Sequence, residues 1–523
     1  MAGNASLTRC CLETIAKSIA MHCTDRRLIG KSIYPDGGMS QLSDNTVLEI
    51  LDLAFSMQIL SPEYFALLIH KNVLSLDLSR YMCKYQQLTI DQVLLQLTCK
   101  KLTSLNLRGL EVSTSCLNQI IQNFTFLTSI NLSHCRECSD SVLENLAKHC
   151  PNVTDLNVEG CDQITDNGME ALVRAAVGSI RPLKIAFFNV SSTSITTQSL
   201  WMLLNGLPML QSLSLASLKG TERSVTGHIM FRNVNIFQLQ LQHLDISNTA
   251  ITFNQLKLVL EGCPNLIDLK LTLPSCENGF TPDKLETFSE ILKTLSKLKS
   301  LDIIMSDESR FQPLPFKSFG SFLQQNGHQL ESLKLFGAME LSLHVVCFYC
   351  SSLKQLVLCD CELVQPFLPS LETSPKRHRK ANTGCNISML SDFCSLECIN
   401  LKKVKFQDIS LHEKQELLYQ LLAFLSNLVH LSLERVPIEE NVLTAILQTS
   451  SGVHLKKLVL SCYDNITVKT IHAIKDICLN LKRLELFHCW DITWYDIWKI
   501  NDCLKQNGRK LEVVIPEQNN RIT

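Results

Sequence analysis

Four cysteines near the middle of the chain have a spacing at which thiolates can bind a metal. Cys347, Cys350, Cys359 and Cys361 read C-x-x-C-x8-C-x-C, and four thiolates can hold zinc in a tetrahedral arrangement. A zinc site would require all four side chains to converge on one point. Whether they converge depends on the strands and helices that carry them.

Sequence patterns for other kinds of chemistry are missing. The chain has no G-x-x-x-x-G-K-[ST], G-x-G-x-x-G, H-E-x-x-H or G-x-S-x-G motif, and its 14 histidines are scattered. Its 49 basic and 50 acidic residues nearly cancel, which does not favour binding to nucleic acid or to an acidic membrane surface. We therefore expect no enzymatic activity, no cofactor, no nucleic-acid partner and no membrane partner.

The 23 cysteines are spread over a chain of 523 residues, unlike the dense clusters of short disulfide-rich proteins. The first residues lack the basic and apolar regions of a secretory signal, and no apolar run reaches the roughly 18 residues that a membrane span needs. These features predict reduced thiols and a cytoplasmic or nuclear location.

The phrase L-x-x-L-x-L recurs along most of the chain. Clear copies begin at Leu102, Leu127, Val153, Leu210, Leu241, Leu266, Leu298, Leu330, Leu353, Leu396, Leu428, Leu455 and Leu481, and weaker ones at Val73, Leu183 and Leu511. Alternation in L-x-L predicts a short strand with one buried face, and apolar residues at helical spacing follow it. The sequence thus predicts an α/β leucine-rich-repeat solenoid, a horseshoe of about 16 strand–helix repeats over 73–515.

The repeat register accounts for many of the cysteines. Ten of them fall two or three residues before a copy or after its strand: Cys150, Cys263, Cys350, Cys394, Cys478, Cys135, Cys161, Cys361, Cys462 and Cys489. A small, weakly polar thiol suits a buried turn. Because Cys350 and Cys361 occupy two such positions and Cys359 is expected on the open strand face, we expect no zinc site.

Two segments depart from the regular period. A 43-residue gap separates the copies at Leu353 and Leu396, and we expect a disordered insertion near 371–390. Its basic run, from Ser374 to Lys380, fits either a nuclear-import signal or a solvated loop. Near the end, Trp490, Trp494 and Trp498 are predicted to form a cap over the last repeats, ahead of a tail at 516–523.

The fullest copy reads C-P-N-V-T-D-L-N-V-E-G-C-D-Q-I-T-D, from Cys150 to Asp166. It resembles the cysteine-containing leucine-rich repeats of F-box and related ubiquitin-ligase receptors. The resemblance covers roughly residues 73–515 and implies a repeat surface that binds target proteins.

The N-terminal region, residues 1–72, precedes the repeats and is predicted to be helical. Leu7, Cys11, Ile15 and Ile19 lie four residues apart and would share one helix face. The set Ser6, Leu7, Cys11 and Ile15 resembles the elongin-binding box of cullin–RING ubiquitin-ligase receptors, which implies a helix that docks in a groove of elongin C. The alternative is an amphipathic helix that caps the first repeat.

A second helix follows a Gly-Gly loop. Ser43 is a suitable N-cap, and Val47, Leu48 and Leu51 supply an apolar face. The segment resembles a helix found in cullin-contact boxes and at the start of F-boxes, although Ser43 replaces the usual Pro. Together with the elongin-type helix and the repeats, this order resembles the Zyg/Zer family of cullin–RING substrate receptors, without that family's armadillo-like C-terminal part.

Residues at the third, fifth and seventh positions of each copy are expected on the concave face of the solenoid, because strand side chains alternate. In the C-terminal half these include aromatic and charged residues, which suit a protein-binding surface. We expect the target to contact Phe336, Lys457, Arg483 and Phe487; the alternative is that some of these side chains pack beneath long loops.

The sequence therefore favours a non-catalytic adaptor that joins elongin B/C and a cullin to a target protein held on the repeats. Two alternatives stay open: a general leucine-rich-repeat scaffold with no ubiquitin role, and an F-box-like receptor that uses the second helix.

Overall fold

The computed structural model describes residues 7–24, 41–83, 85–178, 183–219, 240–273, 282–305, 319–364, 395–406, 409–423, 425–489, 491–506 and 508–515. The predicted insertion near 371–390, with its basic run, and the tail at 516–523 lie outside these residues. Contacts between residues divide the chain into two compact units, Met1–Ile251 and Thr252–Thr523. Each unit is an α/β leucine-rich-repeat solenoid.

The first unit begins with three helices and continues with alternating strands and helices. Its described elements are α1 (Leu7–Thr24), α2 (Asp44–Ser56), α3 (Pro62–Leu68), β1 (Ser75–Asp77), α4 (Ser79–Met82), α5 (Gln87–Leu95), β2 (Ser104–Asn106), α6 (Thr114–Asn123), β3 (Ser129–Asn131), α7 (Asp140–His149), β4 (Asp155–Asn157), α8 (Asp166–Gly178), β5 (Phe187–Asn189), α9 (Thr197–Gly206), β6 (Ser212–Ser214) and β7 (His243–Ile246).

The second unit has the same alternation. Its described elements are α10 (Phe253–Gly262), β8 (Asp268–Thr272), α11 (Pro282–Thr294), β9 (Ser300–Ile304), α12 (Gly320–Asn326), β10 (Ser332–Phe336), α13 (Leu343–Tyr349), β11 (Gln355–Cys359), β12 (Glu362–Leu363), β13 (Cys398–Lys402), β14 (Lys405–Phe406), α14 (Leu411–Leu422), β15 (His430–Glu434), α15 (Glu440–Leu447), α16 (Ser450–Val453), β16 (Lys457–Ser461), α17 (Val468–Ile477), β17 (Arg483–Phe487), α18 (Trp494–Gln506) and β18 (Glu512–Val514).

Each predicted copy of the repeat supplies one strand. In the first unit β1 to β7 pair in chain order, every pair parallel. In the second unit β8 to β11, β13 and β15 to β18 do the same. The small strands β12 and β14 pair with each other on either side of the segment that holds the insertion.

The core lies between the strands and the helices that follow them. In the copy at Leu102, the residues Leu102, Leu105 and Leu107 are at most 1% exposed, as the L-x-x-L-x-L pattern predicts. In α7 the predicted apolar residues Val142, Leu143 and Leu146 are also buried. Neither a lone strand nor a lone helix could bury its apolar side, so neighbouring repeats stabilise one another.

Two weak copies have a different register from the one predicted. In β5, Phe188 lies opposite Leu156 of β4 and Leu213 of β6, so this copy begins at Ile185 and not at Leu183. In β18, Val513 lies opposite Leu484, which shifts the start of the last copy by one residue. In the β5 copy, the shift places Phe187 at the third position, on the side of the sheet opposite Phe188.

In twelve of the described copies a left-handed residue lies two positions after the last leucine-type position of the L-x-x-L-x-L pattern. Described examples have φ between 50° and 74°: Gly109, His134, Gly160, Ser192, Ser217, Asn248, Gly337, Asp360, Lys403, Arg435, Cys462 and His488. Gly160 has φ +70°, and a Cβ there would lie 2.4 Å from Nδ1 of His134, so glycine fits that turn best. At Ser192, Ser217, Lys403 and Arg435 the fold imposes the left-handed conformation on residues that seldom adopt it.

At the first edge of the sheet in the first unit, a side chain accepts the backbone N–H groups that have no preceding strand to pair with. In β2 the N–H groups of Thr103 and Ser104 donate to the carbonyl of Leu74, at 2.8 and 3.0 Å. The equivalent N–H groups in the first strand, those of Leu74 and Ser75, donate to Oδ2 of Asp44 at 3.2 and 3.0 Å. The carboxylate at the start of α2 thus replaces the carbonyl of a preceding repeat.

The last strand of the second unit is completed in a similar way. The N–H of Glu512 donates to the carbonyl of Lys482 at 2.9 Å, so the polar groups of Val513 point away from β17. The Asn501 side chain pairs with both: Nδ2 donates to the Val513 carbonyl at 2.7 Å, and Oδ1 accepts its N–H at 3.0 Å. The Asn501 side chain thus forms the two hydrogen bonds with Val513 that a following strand would otherwise form.

Candidate functional site

Helix α1 carries the residues of the predicted elongin-binding box. Ser6 and the side chain of Leu7 lie outside the described part of the chain. Cys11 is exposed and Ile15 is half-buried. Beside them, Nε of Arg9 donates to Oε1 of Glu13 at 3.3 Å. The first turns of the helix therefore present an accessible surface around Cys11.

The second half of α1 packs inside the first unit. Ala16 is fully buried and Ile19 is 3% exposed, and the helix contacts both α2 and α3. The hydroxyl of the buried Tyr64, on α3, donates to the carbonyl of Ala16 at 3.1 Å. Of the predicted face, Ile19 belongs to the core and Cys11 does not.

Helix α2 begins as predicted, because the Ser43 side chain accepts the N–H of Thr46 at 3.3 Å. Its apolar face points inward. Val47 is 1% exposed and Leu51 is fully buried, whereas Leu48 is half-buried. Val47 and Leu51, which the sequence predicted as contacts with a partner, therefore have side chains that pack α2 against its neighbours in the unit.

We call the side chains at the third, fifth and seventh positions of the copies the open face of each unit. On the open face of the second unit, Lys457 and Arg483 are opposite each other on β16 and β17. Both contact one carboxylate: Oε1 of Glu485 lies 3.0 Å from Nζ of Lys457 and 2.6 Å from Nε of Arg483. Arg483 also reaches Glu512 at 3.3 Å. The two predicted contact cations are thus paired within the unit.

Burial and the neighbouring cations shift the pKa of Glu485 in opposite directions. The residue is 8% exposed, and this burial favours the neutral carboxyl. The hydrogen bonds and charges of Lys457 and Arg483 outweigh burial, so the pKa of Glu485 lies below its ordinary value. The cluster is an ion pair that holds both cations in place.

The two predicted aromatic contacts lie far apart. Both occupy the seventh position, Phe336 at the end of β10 and Phe487 at the end of β17, and the register places five strand spacings between them. At about 4.8 Å per spacing this amounts to roughly 24 Å. Both rings are half-buried. The structure therefore groups Lys457, Arg483 and Phe487, and it separates Phe336 from them.

The open face of the first unit has a repeated polar arrangement that sequence reasoning did not predict. At the fifth position Oδ1 of an asparagine accepts the N–H two residues later, at 3.0 to 3.1 Å, in four successive copies: Asn106, Asn131, Asn157 and Asn189. Each side chain holds the turn after its strand. The recurrence of Asn or Asp at the fifth position of most copies in this unit was the available sequence signal.

The same face carries an aromatic residue that the sequence interpretation missed. Phe187 is 44% exposed, whereas its neighbour Phe188 is 2% exposed. The sequence interpretation started this weak copy at Leu183 and not at Ile185, so it did not place Phe187 on the open face. The ring lies in register between Asp155 of β4 and Ser212 of β6.

Eight of the ten phased cysteines are buried, as the repeat predicts. Cys135, Cys161 and Cys361 are fully buried, and their thiols donate to carbonyls of the preceding repeat at 3.1 to 3.3 Å. Burial raises the pKa of Cys135 to about 12. Cys462 differs, because it occupies the left-handed position and is half-buried. Cys394 and the side chain of Cys347 lie outside the described residues, within which no three metal-ligating side chains converge.

The expected tryptophan cap is not what α18 shows. Trp494 and Trp498 are 59% and 65% exposed, and Trp490 lies outside the described residues. Ile497, Ile500 and Leu504 face the core instead. The spacing of the tryptophans placed them on one helix face correctly, but it is the outer face. Within the described residues, no helix has the length and apolar character that a membrane span requires.

No protein-family model and no curated protein sequence matches the chain significantly. Solved structures do resemble it. The yeast Rad7 and Elc1 complex is 15% identical, with 98% of this chain and 99% of that chain covered and a TM-score of 0.44. The mouse RP105/MD-1 complex is 15% identical, covering 79% and 71%, with a TM-score of 0.40. The TLR13–ssRNA13 complex is 16% identical, covering 74% and 56%, with a TM-score of 0.36. At such identities the similarity concerns the fold alone.

Proposed function

We propose that this protein is a non-catalytic interaction adaptor, a substrate-recognition subunit of a cullin–RING ubiquitin ligase. In this proposal α1 docks on elongin C, and a target protein binds on the open faces of the repeats. The adaptor acts by proximity, because it holds a lysine of the target near the ubiquitin-charged enzyme.

The observation that carries the proposal is the division of α1 into two halves. Its second half is anchored through Ala16, Ile19 and Tyr64, so the helix has a fixed position on the first unit. Its first half leaves Cys11 exposed. A partner groove could therefore receive the first turns of a helix that is already held in place.

The role of α2 is narrower than the sequence suggested. With Val47 and Leu51 in the core, an F-box-like interface on this helix would require them to leave it. A cullin contact through α2 is therefore proposed for the half-buried Leu48 alone. The F-box-like alternative has less support than the elongin-type one.

A plain scaffold is the second candidate function. The burial of Ala16 and Ile19 against α2 and α3 also fits a helix whose purpose is to cap the repeats. In that case α1 has no partner and the target-binding residues, proposed to include Phe336, Lys457, Arg483 and Phe487, serve some other assembly.

Co-expression with elongin B and C tests the proposal. The double variant Leu7→Ala and Cys11→Ala should lose co-purification of elongin C while its circular dichroism and thermal midpoint stay unchanged. Cys10→Ala is the matched control, because Cys10 is also exposed and adjacent but lies outside the box. Retained binding in the double variant, or no binding by the wild-type chain, would refute the elongin connection and favour the plain scaffold.

A further inference from the structure

Phe187 is an apolar anchor on an otherwise polar surface. Its ring is 44% exposed and stands between Asp155 and Ser212 on the neighbouring strands. An aromatic side chain in this position gains little from the fold, since its strand is already secured by the buried Phe188. Exposed rings surrounded by polar groups are typical of positions that become buried against a partner.

The charge around Phe187 indicates what kind of partner fits. The open face of the first unit has four carboxylates, Asp77, Asp155, Glu159 and Asp245, and one cation, Arg108. The open face of the second unit has five of each sign: Asp268, Asp302, Glu434, Glu485 and Glu512 against Lys270, Lys334, Lys402, Lys457 and Arg483. The first face is therefore acidic and the second is balanced.

The carboxylates closest to Phe187 in register are held by neutral hydrogen-bond donors. Asp155 accepts from the hydroxyl of Thr154 at 2.6 Å, and Glu159 accepts from Nδ2 of Asn189 at 3.2 Å. In the described part of the chain neither forms an ion pair. A hydrogen bond from a neutral donor leaves the carboxylate with its formal charge, so it can still form a charge-assisted hydrogen bond with a cation.

The backbone and side chains of this surface are already fixed. Oδ1 of Asn157 accepts the N–H of Glu159 at 3.0 Å, and Oδ1 of Asn189 accepts the N–H of Ser191 at 3.0 Å. Asn189 in turn holds Glu159. A partner would therefore meet a surface that loses little conformational freedom on binding.

We propose that the open face around Phe187, Asp155 and Glu159 binds a basic, extended segment of a partner protein. Arginine suits the site best, because a guanidinium can lie over the Phe187 ring while it donates to Asp155. A second basic side chain of the segment pairs with Glu159, four residues further along the chain from Asp155. The proposal concerns this face alone and holds whether or not α1 binds elongin C.

Fluorescence anisotropy with the full-length chain tests it. The probe is a fluorescein-labelled 12-residue peptide of alternating Arg and Ser, compared with one of alternating Glu and Ser. We expect binding of the Arg peptide only, weakened by added salt because the pairs are exposed. Asp155→Asn and Phe187→Ser should each weaken binding by about tenfold.

Glu434→Gln is the matched control, since it removes a carboxylate from the other open face, where Lys402 pairs with it at 3.1 Å. This variant should bind the Arg peptide as the wild type does, and Phe187→Tyr should retain affinity. Equal binding of the two peptides, or unchanged affinity in the Asp155→Asn and Phe187→Ser double variant, would overturn the proposal. Because no elongin is present, this result is separate from the test of α1.

Discussion

His430 lies on the open face of β15, opposite Lys457 of β16, and its Nε2 atom is buried without a hydrogen-bond partner among the described residues. Burial is the main reason why the pKa of His430 lies below its ordinary value. The charge of Lys457 lowers it further, and Glu485 opposes both. The neutral imidazole is therefore the form that the folded chain prefers.

This shift predicts a pH dependence of stability. A lowered pKa in the folded state means that the unfolded state binds the proton more tightly, so the free energy of unfolding falls as the pH drops through about 6.5. Urea unfolding of the wild type at pH 7.5 and pH 5.5 should show this loss, and His430→Gln should reduce it. His472→Gln, at an exposed position on α17, is the control and should leave the loss unchanged. A pH dependence identical in His430→Gln and wild type would contradict the assignment.

Glu485 acts in a different pH range. Because its pKa in the folded chain is lowered, its contribution to stability is present above the ordinary carboxyl value of about 4.3 and disappears only as the pH falls below it. Glu485 therefore does not contribute to the difference in unfolding free energy between pH 7.5 and pH 5.5.

At the scale of elements, the first strand of the sheet depends on a helix that comes before it. Asp44 belongs to the first turn of α2 and accepts the N–H groups of Leu74 and Ser75. A β-strand at an edge otherwise presents its polar groups to water or to another chain. α2 thus has a structural role that is independent of any partner.

Asp44→Ala should destabilise the first unit by about 1 to 2 kcal/mol, because two backbone donors lose their charged acceptor. Hydrogen exchange should become faster at Leu74 and Ser75, and the denaturant midpoint should fall. Glu49→Ala is the control on the same helix, since Glu49 is exposed and has no such contact. If exchange at the two amides were the same in Asp44→Ala and Glu49→Ala, the carboxylate would not be completing the strand.

At the scale of the whole chain, stability arises from contacts between successive repeats. A cavity in one repeat should therefore weaken that repeat and its neighbours more than distant ones of the same unit. Leu269 of β8 is fully buried, and Leu269→Ala should cost about 2 to 5 kcal/mol locally. Hydrogen exchange followed by mass spectrometry should show loss of protection that decreases from β8 towards β18. Uniform loss along the second unit would mean that the unit unfolds as a single block.

The sequence predicted the fold because its period is carried by many residues at once. One strand per copy, the buried positions and most phased cysteines follow from the alternation and spacing of apolar residues. The registers at Leu183 and Leu511 were wrong because Ile185 and Phe188, and likewise Val513, compete with nearby apolar residues for the same buried positions. A shift of one or two residues within a short apolar run is decided by the neighbouring strands and not by the run itself.

The candidate site was less predictable. The sequence could place Lys457 and Arg483 on one face, but it could not show that Glu485 pairs with both. It gave α2 an apolar face without indicating that Val47 and Leu51 point inward. Amphipathic patterns show that a face is apolar, and only the packing shows whether the chain itself covers that face.

The periodic buried thiols have a practical consequence. Cys99, Cys116, Cys135, Cys161, Cys263, Cys350, Cys361 and Cys478 are at most 2% exposed and lie in different repeats. A thiol reacts by attack of its thiolate on the reagent, so each of these buried side chains becomes reactive only when its own repeat opens. The wild-type chain therefore contains a series of labelling sites. The order in which these cysteines become modified, followed by mass spectrometry, would give the order in which the repeats open.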